Sequence, residues 1–254
     1  MSNERIAAVI LAAGSSSRMG GIKKEYLKLP CAGGLAAGSG VTVLESSVRT
    51  FASFPCISTV VIAVCENGED QARNALSSDF FPARETLPEE PPKPNIIFVT
   101  GGKTRRSSVF NALSALVSFN PRYVLIHDGA RPYISASLIE NLLAAVKKYD
   151  AVIPVLPLID TPKELGTLNE EYAAGDNEQM MFIKRHLRRA EVGSAQTPQA
   201  FLFPEIFHAH EEAARGGGEE FTDDAEIWGR FCGKVAVIPG DPANKKITFK
   251  EDLY

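Results

Sequence analysis

The sequence predicts an α/β fold, a doubly wound and mostly parallel sheet covered by helices on both faces. Three observations carry this expectation. The apolar runs are continuous rather than alternating, as in strands buried on both sides. Helical patterns fall between them, so strand and helix alternate over about 150 residues. Three of the runs end in small-residue turns, where a doubly wound sheet with right-handed crossovers binds ligands, outside the carboxyl ends of its strands.

The expected strands are IAAVILAA (6–13), STVVIAVC (58–65), NIIFVTGG (95–102), YVLIHDGA (123–130), AVIPVLPL (151–158) and KVAVIPGD (234–241). The expected helices are VLESSVRTFASF (43–54), GEDQARNALSS (68–78), RRSSVFNALSALVSF (105–119), SASLIENLLAAVKKYD (135–150) and PEIFHAHEEAAR (204–215). Two stretches interrupt the rhythm. CAGGLAAGSG (31–40) is rich in glycine and PARETLPEEPPKP (82–94) in proline, and both read as surface insertions. Residues 160–192 are too long for a crossover and read as an arm leaving the sheet. The whole chain, 1–254, reads as a single domain carrying this arm.

Composition narrows the function. A chain of 254 residues with 44% apolar and 23% charged residues is ordinary for a soluble globular protein. A formal charge of -4 argues against a broad nucleic-acid or acidic-membrane surface while leaving room for a local basic pocket. No segment approaches the ~20 apolar residues of a membrane span. The N-terminal residues show no signal-peptide pattern, so the expected location is the cytoplasm. Cys31, Cys56, Cys65 and Cys232 have no metal or redox spacing and read as free thiols. His208 and His210, near Glu205, Glu211 and Glu212, read as part of a solvated helix face rather than a metal site.

Three glycine-containing turns compete as phosphate loops. AAGSSSRMGG follows the first strand but lacks the G-x-G-x-x-G order of a dinucleotide site. Its small residues expose backbone N–H groups, and Arg18 and Lys24 add cations suited to a polyphosphate. VTGGKTRRSSV ends like a P-loop, but the first glycine of that motif would fall at Ile97. Gly101 and Gly102 still permit close backbone approach. IHDGARPY places Asp128 at a strand's carboxyl end with Arg131 three residues on, either as a site carboxylate or as an Asp–Arg pair that pins the loop.

AAVILAAGSSSRMG…KKEYL, GGKTRRSSV, HDGARP, IDTPK, AQTPQAF, FTDDA and NKKIT occur together and in this order. The set resembles the 2-C-methyl-D-erythritol 4-phosphate cytidylyltransferases of the non-mevalonate isoprenoid pathway. The resemblance implies a Rossmann-like core and a homodimer whose extended arms exchange. It also implies CTP and a polyol phosphate as substrates, with release of pyrophosphate and formation of 4-diphosphocytidyl-2-C-methyl-D-erythritol. Ribitol 5-phosphate is the alternative acceptor.

Position by position, the resemblance implies nucleotide contacts at Ala12, Ala13, Gly14, Gly102, Ser108, Gly129 and Ala130. Arg18, Lys24 and Lys246 would be the catalytic cations on the triphosphate. Asp128, Arg131, Thr161, Arg189 and Thr222 would bind the acceptor, partly from the neighbouring subunit. KKEYL stands where the family usually reads PKQYL, so Lys23 is a rival to Lys24, and Arg188 is a rival to Arg189. Without the resemblance, Lys245 and Lys246 would read as a solvated pair. No carboxylate cluster suggests a protein-built metal cage, so Mg²⁺ is expected to arrive mainly on the CTP phosphates.

Overall fold

A computed structural model of the chain describes residues 5–30, 40–81, 93–167, 181–216 and 220–253. Most of insertion 31–40, most of insertion 82–94, Cys31, and Leu168 and Met180 of the arm lie outside the described residues. The strands are β1 (Ile6–Ala12), β2 (Ile57–Val64), β3 (Asn95–Thr100), β4 (Tyr123–Asp128), β5 (Ala151–Pro157), β6 (Lys163–Thr167), β7 (Met181–His186), β8 (Gly193–Ala195), β9 (Gln199–Leu202) and β10 (Ala236–Pro239). The α-helices are α1 (Val43–Ala52), α2 (Glu69–Asn74), α3 (Arg105–Leu116), α4 (Ala136–Tyr149), α5 (Phe203–Arg215) and α6 (Asp224–Phe231).

The main sheet runs β10-β5-β9-β4-β1-β2-β3, with β8 paired to β5. All neighbours are parallel except β9, which lies antiparallel between β4 and β5, and β8. The mostly parallel expectation therefore holds. The period of two along β1 builds a core on each face. Ile6, Ala8, Ile10 and Ala12 pack with Leu44 and Val48 of α1 and Leu138 and Leu142 of α4. Ala7 and Val9 face the other way, toward Val109 and Leu113 of α3, Ile206 of α5 and Trp228 of α6. Truncating a fully buried leucine such as Leu113 would cost about 2–5 kcal/mol.

The helices start where side chains satisfy their first N–H groups. The Thr42 and Ser135 hydroxyls accept from Glu45 and Leu138 N–H at the starts of α1 and α4. Thr104 and Ser107 form a reciprocal capping box on α3. Asp223 caps α6 by accepting from Glu226 N–H at 2.9 Å.

Four features depart from the sequence reading. QAFL forms the antiparallel β9 and DAEIWGRF forms α6, though neither is expected as an element from the sequence. The expected helix 68–78 is confined to Glu69–Asn74. His210 is not on a solvated face: it is fully buried, and Nε2 lies 3.1 Å from Asp224 Oδ1. His208 on the same helix is exposed, as expected.

The segment after β5 does leave the main sheet. Its described parts, β6 and β7, form a separate antiparallel ribbon. Cys56, Cys65 and Cys232 are free thiols. Among the described residues, no helix is long and apolar enough to cross a membrane.

Candidate active site

A cavity of about 540 Å³ opens at the carboxyl ends of β1 and β4. It is built from segments far apart in sequence. The loop after β1 supplies Ala13, Gly14 and Arg18, the loop after β3 supplies Gly102 and Lys103, and the segment after β10 supplies Lys246. Arg18, Lys23, Lys24, Lys103, Arg105 and Lys246 line it, opposed by the carboxylates of Glu25 and Asp128. A chain with net negative charge thus concentrates cations in one cleft, which draws in a polyanion.

The loop after β1 folds back on itself. Ser16 adopts a left-handed conformation with φ 50°, and its carbonyl accepts from both Met19 and Gly21 N–H. Lys23 Nζ donates to the Gly14 carbonyl at 2.6 Å, tying the loop to the following turn. Lys24 is only 8% exposed. Burial pushes its ammonium pKa down, Glu25 opposes that, and Lys246 and Arg18 push it down further. An anion between these cations would relieve the strain of their proximity. Arg18 has its guanidinium 6.0 Å from the Phe249 ring centroid.

The second wall needs glycine for a steric reason. A Cβ on Gly101 would stand 2.4 Å from the Ala13 Cβ and 2.9 Å from Ser108 Oγ. The loops after β1 and β3 can therefore meet only because Gly101 has no side chain. Gly102 N–H donates to Ser108 Oγ at 3.0 Å, fixing this loop to α3. The helix points its N-terminus at the cavity and adds positive potential there.

Asp128 sits at the centre of the third wall. Lys246 Nζ donates to Oδ2 at 2.8 Å, Arg131 Nε lies 3.7 Å from the same oxygen, and Arg105 Nε lies 3.6 Å from Oδ1. Burial alone would raise the carboxyl pKa, but Lys246, Arg105 and Arg131 outweigh it and hold the group well below the usual range. Both sequence readings of Asp128 apply: it pairs with Arg131 and it faces the cavity.

Lys246 is placed by a web of buried polar groups. Gln196 Nε2 donates to the Asp241 and Asn244 carbonyls, Asn244 Nδ2 to the Thr197 carbonyl, and Arg131 to the Asn244 carbonyl. Ile247 N–H then bonds the Ala130 carbonyl at 2.8 Å. Beneath Asp128, the Thr197 hydroxyl accepts from Asp128 N–H and donates to His127 Nδ1. His127 Nε2–H donates to the Arg131 carbonyl, so the buried ring serves as a neutral tautomer. The motif AQTPQAF is thus the clamp that holds NKKIT against HDGARP.

The family model for 2-C-methyl-D-erythritol 4-phosphate cytidylyltransferase, IspD, matches residues 6–254. This chain belongs to that family. A bifunctional enzyme IspD/IspF of Bartonella henselae is 35% identical over 248 residues, covering 98% of this chain and 55% of that protein. One from Bradyrhizobium sp. strain ORS 278 is 37% identical over 254 residues, covering 99% and 55%. This chain spans about half the length of the curated relatives it matches.

Among solved structures, the 4-diphosphocytidyl-2C-methyl-D-erythritol synthase of Anaerococcus prevotii superposes with a TM-score of 0.73 at 27% identity, covering 99% of this chain and 95% of that one. The 2-C-methyl-D-erythritol 4-phosphate cytidylyltransferase of Thermus thermophilus gives 0.65 at 28%, covering 98% and 95%.

Within this cytidylyltransferase fold the expected site residues divide into three groups. Ala13, Gly14, Arg18, Lys24, Gly102, Ser108, Asp128, Ala130 and Lys246 line one cavity. Ala12 is wholly buried behind it, Gly129 is engaged through its N–H with the Leu11 carbonyl, and Arg131 stands beneath Asp128. Thr161, Arg189 and Thr222 do not line the cavity. Arg189 donates instead to the Ile159 carbonyl at 2.7 Å, and the Thr222 hydroxyl donates to Glu226 at 2.8 Å.

Sequence reasoning missed Arg105 and Asp224. In the sequence Arg105 does no more than open a helix, yet it lines the cavity and reaches both Asp128 and Asp224. The Asp223–x–x–Glu226 spacing signals a helix start and could have located Asp224 on its first turn.

Proposed function

We propose that this chain transfers the cytidylyl group of CTP to 2-C-methyl-D-erythritol 4-phosphate. Pyrophosphate is released and 4-diphosphocytidyl-2-C-methyl-D-erythritol is formed, a step of isoprenoid precursor biosynthesis carried out in the cytoplasm. The observation that carries this reading is the cationic cavity at the ends of β1 and β4, with Lys246 held over Asp128.

The acceptor phosphate is already an anion near neutral pH, so no strong base is required. Its attack on the anionic α-phosphate is opposed by charge. Arg18, Lys24 and Lys246 surround the transition state and offset that repulsion. The backbone of Ala12, Ala13 and Gly14, with Gly102, Ser108, Gly129 and Ala130, holds cytosine, ribose and phosphates. A loop fitted to a pyrimidine leaves little room for a purine. Asp128 and Arg131 orient the acceptor within the chain, and in-line positioning supplies much of the remaining acceleration.

The carboxylates facing the cavity do not suit a protein-built metal cage. Asp128 is engaged by three cations, and Glu25 is 3% exposed with its pKa raised by burial. A divalent cation, Mg²⁺ or an equivalent, fits better as part of the CTP complex, where it would supply positive charge to the phosphate oxygens and the departing pyrophosphate.

Thr161, Arg189 and Thr222 complete acceptor binding, the first two from the arm of a second copy in a homodimer. Support comes from the β6–β7 ribbon, where Leu165, Met181, Phe182 and Ile183 are all exposed. Pairing with another arm would stabilise it by ~25 cal/mol for each Å² of apolar surface buried.

Pyrophosphate release, measured with Mg²⁺ over a panel of nucleotides and polyol phosphates, tests the reading. Turnover should require CTP and methylerythritol phosphate. Equal rates with ATP would overturn nucleotide selectivity, and preference for ribitol 5-phosphate would reassign the acceptor.

A further inference from the structure

Behind the cavity lie three groups to which the reaction described above gives no role, Arg105, Asp224 and His210, joined to one another and to Asp128. Arg105, on the first turn of α3, lies between two carboxylates. Its Nη2 is 2.8 Å from Asp224 Oδ2, and its Nε is 3.6 Å from Asp128 Oδ1. Asp224 is wholly buried on the first turn of α6, and its other oxygen faces His210 Nε2 at 3.1 Å. His210 is itself wholly buried on α5. Asp224 does not line the cavity and is too enclosed to touch a substrate.

We propose that Asp224 is a positioning residue for the transfer reaction: it grips Arg105, and through Arg105 it sets the Asp128 carboxylate that holds the Lys246 ammonium. A guanidinium bound only to Asp128 could swing into the cavity and neutralise that carboxylate in a different geometry. A second carboxylate on a rigid helix start prevents this. His210 fixes the plane of the Asp224 carboxylate from the opposite side, so the chain runs His210–Asp224–Arg105–Asp128–Lys246 across α5, α6, α3 and β4 to the segment after β10. Its charges alternate through the ion pairs, which suits a device that aligns cations before the nucleotide arrives. The charge inventory agrees. Arg105, Arg131 and Lys246 face Asp128 and Asp224, leaving excess positive charge directed at the cavity.

This inference rests on the cytidylyltransferase reading, so wild-type pyrophosphate release from CTP and methylerythritol phosphate is measured first. Failure there removes the function and not merely the role of Asp224. With an active wild type, Asp224→Asn should lower kcat by about 10- to 100-fold, by analogy with the loss when outer-shell groups that orient metal ligands are removed. The stoichiometry of Mg–CTP binding by calorimetry should remain one per chain, showing that the loss is not a loss of folded protein. In a Lys246→Ala background the same substitution should cost less than about threefold, because both changes disable one chain of contacts. Arg105→Lys offers a second route if Asp224→Asn does not fold. The Arg105 side chain is 28% exposed, and lysine keeps the charge but cannot span both carboxylates. It should lose kcat to a similar degree at full CTP stoichiometry. Wild-type kcat in either folded variant, or full additivity with Lys246→Ala, would overturn the proposal.

Discussion

Lys246 and Asp128, 118 positions apart, are joined by a 2.8 Å hydrogen bond in which the ammonium donates to the carboxylate. That bond fixes a cation at the mouth of the cavity. Lys246→Ala should lower turnover about 10²-fold, the effect of removing one preorganised transition-state donor. Lys246 is also the first of the cations that hold the buried Asp128 carboxylate charged, so the melting temperature should fall as well, with Arg105 and Arg131 still in place to limit the loss. Steady-state pyrophosphate release and a thermal melt on the same sample check both halves.

The two lysines of KKEYL should behave differently. Lys24 is buried among cations at the cavity, whereas Lys23 ties its ammonium to the Gly14 carbonyl. Lys24→Ala should reduce kcat about 10²-fold. Lys23→Ala should mainly loosen the loop and raise KM for CTP. Normal turnover in Lys24→Ala, lost only when Lys23 is also removed, would exchange their roles.

Much of this site was legible in order but not in depth. Gly14, Arg18, Lys24 and Asp128 could be singled out from short local patterns that follow strands, whereas Ser108 and Lys246 were reached only through the family resemblance, Lys246 reading otherwise as one of a solvated pair. Asp224 and His210 could not, because their meaning comes from α6 docking on α5. The four-residue β9 carries too little periodicity to be read as a strand. It exists because Phe201 and Ala200 are buried within the sheet between β4 and β5. Thr161, Arg189 and Thr222 matched their motifs in sequence, but the fold of one chain keeps them away from the cavity.

His127 should make stability fall with moderate acid. Burial pushes its pKa down to about 4, from an ordinary 6.5. As pH falls through 6.5 the unfolded histidine gains a proton that the folded one refuses, so unfolding is favoured until about pH 4. The loss is about 3 kcal/mol. Asp128 acts later in the descent. Its depressed pKa contributes stability that is fully present above the ordinary carboxylate value of 3.8 and is lost progressively as pH falls below it. Urea unfolding between about pH 7 and pH 4 should show the decline, and His127→Gln should flatten it. A flat wild-type profile would contradict the neutral buried ring.

Mixed inactive subunits would test whether two copies share a site, as proposed. Lys24→Ala removes a cation from the cavity, while Arg189→Ala removes a residue that one chain leaves outside it. Random mixing should restore about a quarter of wild-type activity, since half the dimers are mixed and each has one intact site. Mixed dimers confirmed by mass that remain inactive would show that each site is built within one chain.

The antiparallel β9 also imposes a sequence of events during synthesis. β1 to β4 contain their own pairings and can form a four-stranded half-sheet as soon as they leave the ribosome. β5 emerges next but finds no partner there, because its neighbours in the finished sheet are β8, β9 and β10. For roughly forty residues of further elongation the edge of β4 stands unpaired, a template for contact with another nascent chain. Chaperone binding should therefore peak on ribosome-bound chains ending between β5 and β9, and fall once QAFL has emerged to seal that edge.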